Sequence, residues 1–130
     1  MESLILPDSN IFIGALRAGT DPFTQFVPGL EEREYCTCGI VVMEVCRGVR
    51  DPGLLRRIKS TFAVMIYVPT TNQIWERVTQ LAWSLDRQGV VLPAPDLIIA
   101  ACALQAGATV FTHDAHFRSV PGLTVIDALN

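Results

Sequence analysis

The chain has 130 residues, half of them apolar and 18% charged, which is enough for one domain with a proper core and too apolar for a disordered chain. Its formal net charge of −3 at pH 7 counts against the broadly basic surface of a general nucleic-acid binder. The longest uninterrupted apolar run, Leu97 to Leu104, is too short to cross a bilayer, so no membrane segment is expected.

The opening MESLILPDSNIF has no basic n-region, and Pro7 and Asp8 break its apolar run. A signal peptide is therefore not expected, and a cytoplasmic location is. Leu4 to Leu6 predicts a short strand, and Asp8-Ser9-Asn10 offers cap residues for a helix over Ile11 to Arg17. Tyr35 to Thr37 predicts a second strand. Val41 to Val49 reads as a helix that stops at Arg50-Asp51-Pro52. Leu54 to Phe62 is a further short helix, and Val64 to Val68 is expected to be a buried strand. A long helix follows over Asn72 to Arg87, closed by Gly89. Pro93-Ala94-Pro95 leads into a helix over Asp96 to Ala106, closed by Gly107. Thr109 to Thr112 and Thr124 to Ile126 are the last strands. Apolar strands alternating with helices imply a mainly parallel sheet covered on both faces, with no repeats or linkers inside residues 1–130.

Three features of side-chain distribution stand out. The four cysteines, Cys36, Cys38, Cys46 and Cys102, lack CxxC spacing and read as reduced core thiols. Five of the ten basic residues, Arg47, Arg50, Arg56, Arg57 and Lys59, fall close together. Arginine suits bidentate phosphate contacts, although a solvated helix face explains such a cluster equally well. On the Asn72–Arg87 helix, Ile74, Trp75, Val78, Leu81, Ala82 and Leu85 form one apolar stripe at about 100° per residue. Trp83 falls opposite that stripe, where a contact with another subunit or a partner protein would explain it better than a scattered surface tryptophan.

The chemistry is concentrated in four isolated acids. In a parallel sheet, sites lie beyond the carboxyl ends of the strands. Asp8 follows the first strand, and Asp114 follows the strand that ends at Thr112. Each has a plain reading as a cap or turn residue. Asp96 opens a helix that is apolar on every side, which places its carboxylate at the edge of the core. An N-cap role is the alternative there. Glu44 is the single acid inside GIVVMEVCRGV, and the polar face of a half-buried helix is its alternative. If the four converge, their repulsion needs a cation. Oxygen ligands without a thiolate favour Mg²⁺ or Mn²⁺, an ion that activates water and holds phosphate oxygens. Setting the four acids aside changes the net charge from −3 to +1, so a polyanionic substrate is compatible with the chain.

These motifs resemble those of the PIN-domain ribonucleases, especially the small toxins of VapBC toxin–antitoxin pairs. LPDSNIF resembles the family's first motif, VVMEVCRGV its glutamate-bearing helix, and APDLIIAACALQAGATVFTHDAHF its most recognisable portion. The resemblance spans nearly the whole chain and implies a single PIN-like domain over 1–130, a three-layer α/β/α sandwich. It carries the metal-binding and catalytic acids onto Asp8, Glu44, Asp96 and Asp114, supported by Ser9, Asn10 and Thr112. It implies a Mg²⁺-dependent endoribonuclease acting on cellular RNA, a cognate antitoxin, and a homodimer. Arg47, Arg50, Arg56 and Arg57 become candidate RNA-binding residues. His116 stands where many members carry a further acid, and a phosphate contact is its candidate role.

THDAHF contains both histidines. Zinc would need a further ligand of suitable type, and a histidine acid–base pair usually comes from separate elements. Asp114 is therefore the expected functional residue of that loop. Two rivals remain from the residues alone: another Mg²⁺-dependent phosphoryl-transfer enzyme, or a non-catalytic RNA- or protein-binding module on the same fold. A receiver-like phosphoryl acceptor would show adjacent acids and a lysine after a late strand, and Lys59 is the only lysine.

Overall fold

The computed structural model describes residues 3–129. Apolar Ser3–Pro7 forms β1, and α1 follows at once over Ser9–Arg17. A short 3₁₀ turn at Thr24–Phe26 precedes β2, Arg33–Cys38. Next come α2, Gly39–Arg47, and α3, Pro52–Ala63. Then come β3, Ile66–Val68, α4, Asn72–Arg87, and α5, Ala94–Ala106. The chain closes with β4, Thr109–Phe111, a 3₁₀ turn at Ala115–Ser119, and β5, Val125–Ile126.

The strands form one sheet in the order β3-β2-β1-β4-β5, and every pairing is parallel. The chain runs outward from β1 to β3, then returns to lay β4 on the other side of β1. With the usual right-handed crossovers, the outward helices cover one face and the returning helices the other. The packing agrees: α1 rests on α2 and α2 on α3, while α4 rests on α5. This is the expected α/β/α sandwich. The reversal makes the crevice between β1 and β4 the switch point, where parallel sheets place their sites.

Local chemistry explains most boundaries. Asp51 caps α3 by accepting from the Leu54 N–H at 2.9 Å, with Pro52 at the first helical position. Thr71 caps α4 through the Ile74 N–H at 3.3 Å. Gly107, at φ 69°, closes α5 in the left-handed conformation that glycine adopts without strain. Residues Leu97 to Ala103 of α5 are all buried, as a helix apolar on every side requires. On the other face Phe12 is the centre of an aromatic cluster, with ring centroids 5.6, 5.4 and 5.1 Å from Phe23, Phe26 and Phe62.

Three expectations need correction. Helix α2 ends at Arg47 with Gly48 as its C-cap, short of Val49, because glycine is a poor helix former and Val49 turns back onto the Cys46 carbonyl. The segment Val64 to Val68 is not a buried strand. Its strand is the three-residue β3 at the sheet edge, and Val64, Ile66 and Tyr67 are exposed while Val68 is buried. An edge strand has a neighbour on one side only, and β-branched composition does not reveal which strand is last. On α4, Ile74, Val78 and Leu85 are buried, but Trp75 is exposed and leaves the apolar stripe.

The cysteines are all free thiols. Cys36, Cys38 and Cys102 are buried and Cys46 is half-buried. Burial pushes the Cys36 thiol up to about 12, so it stays protonated and unreactive.

Candidate active site

Asp8 is the fixed point. It directly follows β1, and its N–H donates to the Phe111 carbonyl of β4 at 2.9 Å, which pins it in the switch-point crevice. It occupies the N-cap position of α1, yet its side chain does not cap the helix. The carboxylate turns across to β4 instead. There Oδ2 accepts from the Thr112 hydroxyl at 2.9 Å, a bond between residues 104 positions apart. Asp8 is 2% exposed. Burial raises its pKa, while bonds from Thr112 and Ser9 partly offset that cost.

Ser9 joins Asp8 to α2. Its hydroxyl lies 2.8 Å from Glu44 Oε1 and 3.3 Å from Asp8 Oδ1. A hydroxyl has one proton to donate, so Glu44 takes it in the shorter bond and the Asp8 contact is the weaker. Thr112 has a similar double use: it donates to Asp8 and accepts from the Asp114 N–H at 3.0 Å. Asp114 caps the 3₁₀ turn, and its Oδ1 accepts from the His116 N–H at 2.9 Å. The same oxygen lies 2.8 Å from His116 Nδ1. The imidazole is largely exposed, so the pair contributes little to stability. What His116 does is occupy one oxygen of Asp114.

Asp96 enters from the opposite face of the sheet. The cap of α5 is Pro93, whose carbonyl accepts from the Asp96 N–H at 3.0 Å. Asp96 lies in the first turn, inside the cap, and its side chain has no hydrogen-bond partner among the described residues. Burial pushes the carboxyl up to about 6, and repulsion from Asp8, Asp114 and Glu44 adds to the shift. That repulsion is the structural link among the four acids. Asp8 follows β1, Glu44 lies on α2, Asp96 on α5 and Asp114 in the loop after β4, and Asp96 stands within range of the other three charges.

The donor chemistry fits a hard divalent cation: four carboxylates, hydroxyls beside them, and no thiolate. The spacing is loose. Among the described residues, no three acid, histidine or cysteine side chains converge as a closed metal site. Asp8 is buried and held by the Thr112 hydroxyl, whereas Glu44, Asp96 and Asp114 are half-buried, Glu44 tethered by Ser9 and Asp114 by the His116 N–H. Closing the ring on a cation therefore asks for rotamer changes in the latter three.

Other candidates separate. Asn10 is exposed and makes no hydrogen bond to the acids; it lines a neighbouring hollow with His113. Arg47 lines a cleft between α1 and α2 together with Glu44. Arg57 lines a different hollow, beside Thr20 and Asp21. Arg50 and Arg56 are exposed, one between α2 and α3 and one on α3. Arg17, which sequence reasoning missed, lines the Glu44 cleft beside Arg47. Arg47 is legible because it stands three residues after Glu44, on the same helix face. Arg17 has no such mark, because only the packing of α1 against α2 brings it there.

An all-parallel α/β sandwich with carboxylates at its switch point belongs to the class of layered folds that place their sites beyond the carboxyl ends of the strands. The sequence matches the PIN domain family over residues 5–123, and the chain belongs to that family. No curated protein sequence matches it. Its fold is similar to chains in solved complexes. One is VapBC2 from Rickettsia felis bound to a promoter DNA fragment, at TM-score 0.78 and 18% identity, covering 95% of this chain and 97% of that one. VapBC-1 from nontypeable Haemophilus influenzae gives 0.77 and 22%, with the same coverage. A toxin–antitoxin complex from Klebsiella pneumoniae gives 0.70 and 26%, covering 94% of this chain and 95% of that one. Among the described residues, no helix is long and apolar enough to cross a membrane.

Proposed function

We propose that this chain is the nuclease toxin of a toxin–antitoxin pair, a metal-dependent endoribonuclease that cuts cellular RNA. The observation that supports this most is geometric: Asp8 is buried at the switch point, bonded by the Thr112 hydroxyl, with Ser9 bridging toward Glu44 of α2. Membership of the PIN family and likeness to VapBC complexes support the toxin role.

Asp8, Asp96, Asp114 and Glu44 would hold Mg²⁺ or Mn²⁺. When bound, such an ion supplies a water of lowered pKa and charge stabilisation at a phosphate oxygen. The chain's own groups do the rest. Thr112 orients Asp8 through its Oδ2, and Ser9 positions Glu44 beside it. Asp96, whose carboxyl burial pushes up to about 6, would be mostly ionised at pH 7 and so available to a cation. No side-chain nucleophile is required. The test is incubation of purified protein with total cellular RNA, with Mg²⁺ and with EDTA, followed by mapping of new 5′ ends. Cleavage that EDTA does not suppress would refute the metal role, and no new ends in Mg²⁺ or Mn²⁺ would refute the nuclease.

The RNA backbone runs along the cleft between α1 and α2, where Arg17 and Arg47 stand beside Glu44. Replacing both by alanine should lower the slope of log K against log salt by about 1.4, at roughly 0.7 per phosphate contact on a single strand. Replacing Arg50 and Arg56 should change it little. Equal slopes in both double variants would sink this path. The cognate antitoxin is proposed to cover the same cleft.

The protein is proposed to act as a homodimer through α4. Trp75, Thr79 and Trp83 recur every four residues on one exposed helix face, and the Arg87 guanidinium lies 4.9 Å from the centre of the Trp83 ring. Exposed tryptophans so aligned suit the centre of an interface. Trp83→Ala should lower the mass measured by light scattering while leaving the melting temperature of the monomer nearly unchanged. A monomeric wild type would end the dimer proposal.

A further inference from the structure

A second hollow lies along α1, between its residues Asn10 to Ala15 and the loop that carries Thr20 to Gln25. It has a volume of about 490 Å³ and is lined by Asn10, Gly14, Asp21, Thr24, Gln25 and His113, among others. Two of its lining residues are chain neighbours of the acids: Asn10 stands two residues after Asp8, and His113 stands between Thr112 and Asp114. Its size is within the range of small-molecule sites.

We propose that this hollow receives a nucleobase next to the scissile phosphate and gives the enzyme its sequence preference; the inference rests on the endoribonuclease reading. The lining chemistry favours a base over a phosphate. It contains a carboxylate, Asp21, and no arginine or lysine. A carboxylate repels a phosphate but accepts from an exocyclic amino group. Amide and imidazole edges match the donors and acceptors that an unstacked base presents. The Asn10 amide and the His113 ring nitrogens have no hydrogen-bond partner among the described residues. Gln25 donates through Nε2 to the Pro22 carbonyl at 3.0 Å, which fixes the side chain and leaves its carbonyl oxygen available. The His113 ring is held edge-on to Phe111 at 5.9 Å.

Gly14 is the independent observation. It sits in the interior of α1, where glycine weakens a helix. No packing contact requires it, because a Cβ built there meets nothing within 4 Å. Neither does a positive φ, since its backbone is helical. What its missing side chain does is leave the floor of the hollow open.

The test compares cleavage-site profiles on a random-sequence RNA library in Mg²⁺ for wild type, Asp96→Asn, Gly14→Ala, Gly14→Leu, Gln25→Glu and His113→Ala. Gln25→Glu and His113→Ala should shift the preference at one nucleotide position by about 10-fold. Gly14→Leu should lose cleavage by about 10-fold or more, with a melting temperature at or above wild type. Gly14→Ala, smaller and helix-favouring, should keep most activity and melt higher. Wild-type profiles in Gly14→Leu, Gln25→Glu and His113→Ala, with Asp96→Asn inactive, would overturn the base site and leave the nuclease reading standing. Cleavage undiminished in Asp96→Asn would instead overturn the metal-site reading. Binding of A, C, G and U homo-oligonucleotides to Asp96→Asn tests the hollow without cleavage. A base preference there that Gly14→Leu abolishes supports the site, and equal binding of all four overturns it.

Discussion

Asp96→Asn should abolish RNA cleavage while leaving the metal-free protein at least as stable as wild type. The loss of activity should exceed the roughly 10- to 100-fold typical of residues that only orient a metal ligand. Most changes at the edge of a core destabilise, so the stability result is the unusual half. It follows from the charge distribution. Asp96 has no hydrogen bond to lose, and burial together with Asp8, Asp114 and Glu44 makes its charge unfavourable, holding the carboxyl at about 6 against an ordinary 3.8. Between those two values the folded protein binds more protons than the unfolded chain, so stability falls as pH rises through that window. Metal-free wild type should therefore melt higher at pH 5 than at pH 7, by an effect below about 1 kcal/mol once solvent screening is allowed for. Asp96→Asn should flatten the profile, with a smaller slope remaining from Asp8, whose pKa is also raised. Mg²⁺ should raise the melting temperature of wild type, because it binds the folded cluster, and that of Asp96→Asn much less. Melts in EDTA and in Mg²⁺ at both pH values, with one cleavage assay, measure all of this. A steeper loss of stability in Asp96→Asn without metal would mean that its carboxylate supports the fold.

Phe12→Ala should cost about 3–5 kcal/mol, the range for deleting a fully buried aromatic ring. Phe12, on α1, is 0% exposed and touches three other rings, Phe23 just before the first 3₁₀ turn, Phe26 in it and Phe62 on α3. Its removal leaves a cavity that Phe23, Phe26 and Phe62 would all have to move to fill. A domain of ordinary stability, about 5–15 kcal/mol, loses a large share of its margin. Phe23→Ala, on a ring that is only half-buried, should cost less. Urea unfolding of both variants gives the comparison. A Phe12→Ala loss under about 1 kcal/mol would show that the cluster repacks without strain.

Both expectations begin from features that differ in how visible they are along the chain. Asp96 was legible because its flanks are apolar, and an isolated acid beside an all-apolar helix has few structural explanations. The aromatic cluster was not, since Phe12, Phe23, Phe26 and Phe62 come from three elements and follow no single period. Ser9 and Thr112 were marked as supports only through resemblance to the family. The folded chain gives each a definite bond, Thr112 to Asp8 and Ser9 to Glu44. Asn10 had the same standing and faces the neighbouring hollow instead.

By itself the sequence determined the fold class, because continuous apolar strands separated by helices can bury both sheet faces only in a layered parallel arrangement. It also determined which acids were isolated enough to be suspects, because an unpaired charge among apolar neighbours is locally unfavourable. The tertiary structure alone decided strand order, and so made β3 an edge strand where composition suggested burial. It also decided which residues line one cleft or hollow across elements: Arg17 with Glu44, and Gly14 with His113. Periodicity records which side of an element faces the core. It carries no information about which partner lies there, because that depends on the sheet order and on how the helices pack.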